Sequence, residues 1–234
     1  MNASSSCPGL FITGTDTEIG KTYVTALIAK TLHRAGRRVG VYKPAASDCR
    51  KEDGRLVADD AVAIWEAAGR PASLDEVCPQ VFAAPMAPHL AARAEGRELD
   101  ADLLRRGIDF WLDRSDIVLV EGAGGLMSPM SDDEYVADLA CDLGFPLIVV
   151  SANRLGTINQ TMQTLITAAT FRDGLDVAGI VLNHPVPPAD DVSLSSNRTE
   201  ISSRAMAPVL AEVRWQQTEF AEPVDWFSLA TRSS

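Results

Sequence analysis

The segment Gly14-Thr15-Asp16-Thr17-Glu18-Ile19-Gly20-Lys21-Thr22 constrains this chain more than any other. It follows the apolar run Leu10-Phe11-Ile12 and opens an amphipathic stretch from Lys21 to Arg34. A strand, a tight loop and a helix that begins on Gly-Lys-Thr form the setting of a phosphate-binding loop. There, backbone N–H groups and the positive end of the helix face the phosphates, and Lys21 reaches the terminal ones. Thr22 places its hydroxyl on a bound magnesium. The spacing is a variant: five residues separate Gly14 from Gly20 where the usual pattern has four, so Thr15 stands where the first glycine is expected. The plain alternative is a tight strand-to-helix turn, against which the flanking periodicity argues.

Apolar runs of strand character at 10–13, 38–43, 117–121, 147–151 and 177–183 alternate with helical spacing at 21–35, 60–68, 100–114, 135–143 and 158–171. Gly36, Gly69, Gly144 and Gly174 follow helices as left-handed caps do. Alternation of this kind builds βαβ units, and nearly all-apolar strands are buried on both sides. The expectation is an α/β fold with a mostly parallel sheet and helices on both faces, a P-loop NTPase-like three-layer architecture. At 234 residues the chain is read as one domain, 1–234. Two stretches read as irregular: 47–56, and 184–198 with Pro185, Pro187, Pro188 and the pair Asp190-Asp191. Each is either a mobile loop near a ligand or an ordinary surface loop.

Cys7, Cys49, Cys78 and Cys141 show no C-x-x-C spacing, so reduced thiols in a cytoplasmic protein are expected. His33, His89 and His184 lie far apart, which argues against a histidine-ligated zinc and for helix-surface or loop positions. There is no run of 18 apolar residues and no signal-like start, so no membrane is expected as partner. A formal charge of −11 argues against nucleic acid and reads as a solvated acidic surface.

Ligands of open α/β sheets sit at the carboxyl ends of strands, and further strand ends here carry chemistry. One run closes on Lys43-Pro44, followed by Ser47. A lysine there is a surface residue or, beside a phosphate loop, a reactive cation. Another closes on Glu121-Gly122-Ala123-Gly124-Gly125, an acid placed like the second magnesium-binding element of a nucleotide hydrolase, or else a capping glutamate on a glycine turn. Asp59-Asp60 opens a helix, where an aspartate on its own reads first as an N-cap. Together Thr22, Asp60 and Glu121 suit Mg2+, which wants oxygen ligands and keeps several waters. Lys21 and Lys43 suit charge building on a transferring phosphoryl group. The residues alone reach an ATP- and magnesium-using enzyme, without its acceptor.

Beyond the phosphate loop, Tyr42-Lys43-Pro44-Ala45-Ala46-Ser47, Pro85-Met86-Ala87-Pro88-His89 with Glu95-Gly96, Val120-Glu121-Gly122-Ala123-Gly124-Gly125 and Leu155-Gly156-Thr157-Ile158-Asn159 occur in order. With these motifs the chain resembles the dethiobiotin synthetase family over nearly its whole length, to about residue 215. The resemblance implies a cytoplasmic homodimer that closes a cyclic urea on 7,8-diaminopelargonate with CO2 and ATP, with Mg2+ as cofactor. It implies Lys43 as the catalytic residue. ATP would be held by Glu18, Ile19, Gly20, Lys21, Thr22 and Tyr23, by Asp60, Glu121, Gly122, Ala123 and Gly124, and by Asn183 and His184, with Asn183 reading adenine. Substrate would be held by Thr17 and Ser47 and, across a dimer interface, by Gly156, Thr157, Ile158 and Asn159. Metal would be held by Thr22, Asp60 and Glu121.

Three features depart from the family pattern. His184 stands where an aspartate is frequent, Ala211-Glu212-Val213-Arg214 replaces a Gly-x-x-Pro base-binding segment, and no tyrosine follows Tyr135. They bear on base selectivity and lid contacts. The main rival is a partition-type ATPase switch, which carries a signature lysine early in the loop where this chain has Asp16. A small-molecule kinase would bring a lid with more arginines than Arg198 and Arg204. An amidotransferase-like synthetase would need a glutaminase partner.

Overall fold

The computed structural model describes residues 7–187 and 191–231; Pro188 and Asp190 of the late loop lie outside the described residues. In chain order the elements are β1 (Gly9–Gly14), α1 (Lys21–Arg34), β2 (Val39–Tyr42), β3 (Arg50–Glu52), β4 (Arg55–Val57), α2 (Asp59–Ala67), α3 (Leu74–Val77), α4 (Pro88–Ala94) and α5 (Ala101–Arg106). There follow α6 (Asp109–Leu112), β5 (Ile117–Gly125), α7 (Val136–Leu143), β6 (Leu147–Ala152), α8 (Thr157–Thr170), β7 (Val177–Asn183), α9 (Leu194–Arg204), β8 (Val209–Val213) and α10 (Trp226–Ala230).

Six strands form a parallel sheet in the order β2-β5-β1-β6-β7-β8. From β1 the chain passes to β2 on one flank, β5 drops into the gap, and β6, β7 and β8 build the other flank. The loops leaving β1 and its neighbours therefore diverge at their carboxyl ends, the place where open α/β sheets bind ligands. Alternate residues of the central strands serve opposite faces. Ile148, Val150 and Val181 join the large core with α1 and α7, while Val149, Ile180 and Leu182 join Ile201 in a second cluster under α8 and α9. Both faces are covered, which is why the strands read as continuous apolar runs.

Several boundaries differ from the sequence expectation for identifiable reasons. The expected helix at 100–114 divides into α5 and α6 around Gly107, because the Tyr42 hydroxyl donates to Leu103 O at 2.8 Å and a Cβ at Gly107 would lie 2.3 Å from it. The stretch 47–56 holds the first strand of an antiparallel hairpin, β3–β4, whose Asp53-Gly54 turn has φ of 48° and 82°. Asp-Gly is the pair such a two-residue turn favours. The stretch 184–198 contains the start of α9, and Val209–Val213 forms β8, an additional edge strand of five residues. His89 is buried, not a surface or loop residue, at the start of α4. Gly36, Gly69, Gly144 and Gly174 all adopt the left-handed φ expected of caps. Among the described residues no helix is long and apolar enough to cross a membrane.

Candidate functional site

The loop from Gly14 to α1 is built by packing as much as by turn chemistry. A Cβ at Gly14 would lie 2.6 Å from Ile19 Cδ1 and 3.1 Å from Lys21 Cδ, so glycine is needed at 14 itself. Thr15, at the expected glycine position, instead turns its hydroxyl to Ser151 Oγ at 3.4 Å. The extra residue is absorbed between these points. Gly20 caps α1 at φ 86°, and a Cβ there would meet Asn183 Nδ2 at 2.1 Å. No acidic side chain occupies the first turn of α1, so its N–H groups and positive end face open space suited to an anion. Lys21 is buried and donates to Asp16 O at 2.9 Å. Burial pushes its pKa down to about 8, aided by the Lys43 charge and opposed by Glu121, Asp60 and Asp16.

Parallel pairing of β2 with β5 puts Tyr42 beside Val120, so Lys43, just past the end of β2, comes level with Glu121 of β5. Lys43, only 4% exposed, is no surface lysine. Its ammonium donates to Glu121 Oε1 at 2.7 Å and lies 2.9 Å from Asp60 Oδ2. The Thr22 hydroxyl donates to the same Glu121 Oε1 at 2.9 Å. Burial opposes the Lys43 charge, but Glu121 and Asp60 outweigh it and hold its pKa above the usual lysine value. Burial likewise works to raise Asp60, yet Lys43, Thr22 and Lys21 pull its carboxyl below the ordinary aspartate range.

Two plain readings of these acids are corrected. Asp60 is not an N-cap: Ala58 holds that position without a side-chain bond, and Asp60 lies in the first turn of α2 facing Lys43. Asp59 turns outward to Arg50 Nε at 2.6 Å. Glu121 caps nothing either, since β5 continues through it to Gly125.

Among the described residues no group of three or more His, Cys, Asp or Glu is arranged to hold a metal. The set present is two carboxylates and one hydroxyl. Glu121 Oε2 is buried with no hydrogen-bond partner, an acceptor left open in a polar cluster. Oxygen donors few enough to leave room for water and phosphate suit Mg2+.

A cavity of about 1050 Å³ opens over this cluster. Its wall brings together Thr17, Glu18, Gly20, Lys21, Thr22 and Tyr23 from the loop and α1. Lys43, Ser47 and Asp60 come from the β2 side, Ala123 and Gly124 from β5, and Asn183 and His184 from β7. Three of the residues expected to hold ATP do not line it. Ile19 is fully buried, its carbonyl accepting from Asn183 Nδ2 at 2.8 Å. Glu121 lies beneath the floor, and Gly122 is wedged against Val136 and Phe11.

Gly156, Thr157, Ile158 and Asn159 are also absent from that wall. They start α8, where Gly156 at φ 92° precedes a first turn without acids. The Thr157 hydroxyl is buried against Ser151 Oγ at 2.8 Å. This helix start connects to the phosphate loop through Asp16, which takes Gln160 Nε2 at 3.4 Å and Arg154 at 3.6 Å.

The sequence reading did not single out Ser128, Trp215 or Gln216, which also line the cavity, beside Met86 of the quoted Pro85–His89 stretch. Ser128 was detectable in principle from the glycine turn it closes, accepting from Gly125 N–H at 2.9 Å. Trp215 depends on the position of β8 in the sheet, which no local pattern reveals. Two departures from the family pattern meet each other: His184 Nε2 lies 2.7 Å from Glu212 Oε1, with Asn153 Nδ2 3.0 Å from the same nitrogen.

A family model described as an AAA domain matches residues 8–220. An ATP-dependent dethiobiotin synthetase BioD of Rhodopirellula baltica is 41% identical over 215 residues, covering 87% of this chain and 83% of the relative. The protein of the same name from Anaeromyxobacter dehalogenans is 41% identical over 210 residues, with 89% and 90% covered. That of Pseudomonas aeruginosa is 40% identical over 207 residues, with 88% and 89% covered. Among solved structures, the signal recognition particle receptor FtsY of Elizabethkingia anophelis with GDP superimposes with a TM-score of 0.55 at 15% identity, covering 100% of this chain and 66% of that one. A ParA family ATPase of Chlorobium tepidum does so at 0.51 and 15% identity, covering 90% and 84%. These two share the fold alone. At 40–41% identity over 87–89% of its length, the chain belongs to the dethiobiotin synthetase family.

Proposed function

We propose that the chain is an ATP-dependent cyclo-ligase that joins 7,8-diaminopelargonate and CO2 into dethiobiotin, the reaction for which its relatives are named. The observation that carries this reading is the Lys43 ammonium, buried beside a phosphate loop with its charge held on by Glu121 and Asp60. The N7 amine of the substrate takes up CO2 as a carbamate, and a carbamate oxygen attacks the γ-phosphorus of ATP as ADP departs. The second amine then attacks the carbonyl of the mixed anhydride, closing the ring and expelling phosphate.

Lys21 holds the β- and γ-phosphates while Lys43 faces the carbamate and the transferring phosphoryl group, where negative charge gathers. Thr17 and Ser47, on the cavity wall, contact the diamine or carbamate. Glu18, Gly20, Tyr23, Ala123, Gly124 and His184 border the nucleotide, Ile19 and Gly122 supply backbone beside it, and Asn183 Oδ1, buried without a partner, accepts from adenine. Thr22, Asp60 and Glu121 would hold Mg2+, which when bound neutralises the phosphate oxygens.

Gly156, Thr157, Ile158 and Asn159 offer a helix N-terminus to the substrate carboxylate, and their place off the cavity wall fits a site completed by a second copy of the chain. Leu155, 81% exposed beside that helix start, supports a homodimer there. We read residues 1–234 as one cytoplasmic domain. The partition-type switch is disfavoured by Asp16, which is tied to Arg154 and Gln160.

The test is turnover with diaminopelargonate, bicarbonate and MgATP, following ADP and dethiobiotin together. ADP released without dethiobiotin, or only with a protein partner present, would favour a switch.

A further inference from the structure

We propose that Ser128 is a further hydrogen-bond donor of the reaction centre, aimed at an oxygen of the carbamate. The proposal deepens the reading above, on which it rests, by adding a residue to the site that receives the carboxylated amine.

Ser128 reaches the cavity because the chain makes room for it. β5 ends on Gly124-Gly125, and Gly124 has a left-handed φ of 76°. A Cβ on Gly124 would stand 2.2 Å from Ser128 Oγ and 3.7 Å from Thr17 Oγ1. Any side chain at 124 would push the serine away. With glycine there, the two hydroxyls flank one point on the cavity wall. Thr17 is the residue read as contacting the diamine or carbamate, so Ser128 lies at the substrate end. Asn183 and His184 follow from β7, which β6 separates from β1 in the sheet.

The hydroxyl is held in place before any ligand arrives. The Ser128 N–H donates to Gly125 O at 3.0 Å, and the Ser128 carbonyl accepts from the Val136 N–H, at the start of α7, at 2.9 Å. The next N–H of that helix, on Ala137, holds Leu126 O at 2.9 Å, and the Leu126 side chain is buried. Ser128 Oγ itself accepts from the Gly125 N–H at 2.9 Å. Among the described residues no acceptor takes the hydroxyl proton.

That arrangement gives the hydroxyl a direction. Hydrogen bonds in a chain polarise one another, so an oxygen that accepts from Gly125 N–H becomes a stronger donor through its own proton. The amines of the substrate bring N–H groups, whereas the carbamate brings bare, charged oxygens. A donor facing a charged oxygen makes a bond roughly twice as strong as one between neutral groups. Bonded to the oxygen that does not attack phosphorus, Ser128 stays with it as it becomes the carbonyl of the mixed anhydride. Charge returns to the same oxygen when the second amine adds to that carbonyl, and a fixed donor is then worth most. Lys43 supplies the charge of the site, and Ser128 a directional bond.

The test is calorimetric titration with 7,8-diaminopelargonate, in the presence of ADP and Mg2+, in CO2-free buffer and in bicarbonate. The wild type is expected to bind more tightly in bicarbonate, where the amine carries CO2. Ser128→Ala should weaken the bicarbonate titration by roughly tenfold, the lower end for a bond to a charged group, with the CO2-free titration and ADP affinity within about twofold. Ser128→Thr keeps the hydroxyl and should recover most of the loss. In turnover of Ser128→Ala, kcat falls and KM for bicarbonate rises, while KM for ATP is little changed. Equal losses in the two titrations would overturn the proposal by placing Ser128 against the amine or the alkyl chain. A parallel loss of ADP affinity would make it a support of the glycine turn. No loss in either titration, or a wild type indifferent to bicarbonate, would overturn it while leaving the synthetase reading intact. A wild type that binds ADP but no diamine would overturn both.

Discussion

Lys43 Nζ stands 2.7 Å from Glu121 Oε1, and the carboxylate side chain is fully buried. Neither charge could remain there alone, because a buried ion without its partner keeps the desolvation cost and loses the attraction. Asp60, half exposed above them, supplies the second acceptor that Lys43 needs. The same pair thus supports the fold and places a cation at the edge of the phosphate loop.

Removing one partner of this pair should destabilise the protein by about 3–5 kcal/mol. Lys43→Met is expected to lose that much in urea denaturation, by stranding Glu121. Lys43→Met with Glu121→Gln should recover most of the stability while turnover stays absent. A single mutant as stable as the wild type would mean that the pair is open to water.

Lys43→Gln keeps a donor for Glu121 and removes the charge. Losing one preorganised donor to a transition state slows turnover by about 10²–10³-fold, and that fall in kcat is expected here. MgATP affinity should change much less, because Lys21 still faces the phosphates. Lys43→Arg should rescue only in part, since a planar fork does not replace a compact ammonium. Steady-state kinetics beside ATP calorimetry would expose a bystander lysine as a variant with near-normal kcat.

Gly20→Ala should cost more than Gly36→Ala, although both glycines have left-handed backbone, with φ of 86° and 79°. Gly36 faces open space, so alanine there meets only backbone strain, about 1 kcal/mol or somewhat more. At Gly20 the new Cβ would also meet Asn183 Nδ2 at 2.1 Å, displacing the amide that holds Ile19 O. Thermal denaturation should rank the variants in that order. Nucleotide binding should fall for Gly20→Ala alone.

The cysteines make a separate prediction. Burial pushes the Cys78 thiol up to about 12, so at pH 8 roughly one part in 10⁴ is thiolate. Cys49 is also raised by burial. Iodoacetamide at pH 8 should therefore label the half-exposed Cys141 first and reach Cys78 only after unfolding. Peptide mapping over a time course reads the order, and early labelling of Cys78 would contradict its burial.

Much of the fold was legible in the sequence because the signals involved are local. Apolar runs bounded by glycine mark β1, β5, β6 and β7, and helical spacing marks α1, α7 and α8, each within a residue or two except for the carboxyl end of β5. Where a distant side chain intervenes, local signals fail. Gly107 breaks the expected 100–114 helix only because Tyr42, a residue of β2, needs the space above it. The edge strand β8 is only five residues long and holds Glu212 within its apolar run.

The chain by itself determined which groups stand at strand ends: Gly14 and the phosphate loop after it, Lys43 after β2, Glu121 within β5 and Asn183 at the end of β7. What they do to one another was decided by strand order, which no local pattern encodes. Insertion of β5 between β2 and β1 brings Lys43 against Glu121 across 78 residues of sequence, and the start of α2 then turns Asp60, not Asp59, toward them. The pairing of β7 with β8 likewise joins His184 to Glu212 and delivers Trp215 to the cavity rim. Periodicity and glycines act over one turn or one strand, whereas these contacts arise from burying apolar surface on both faces of a sheet, a property of the whole chain.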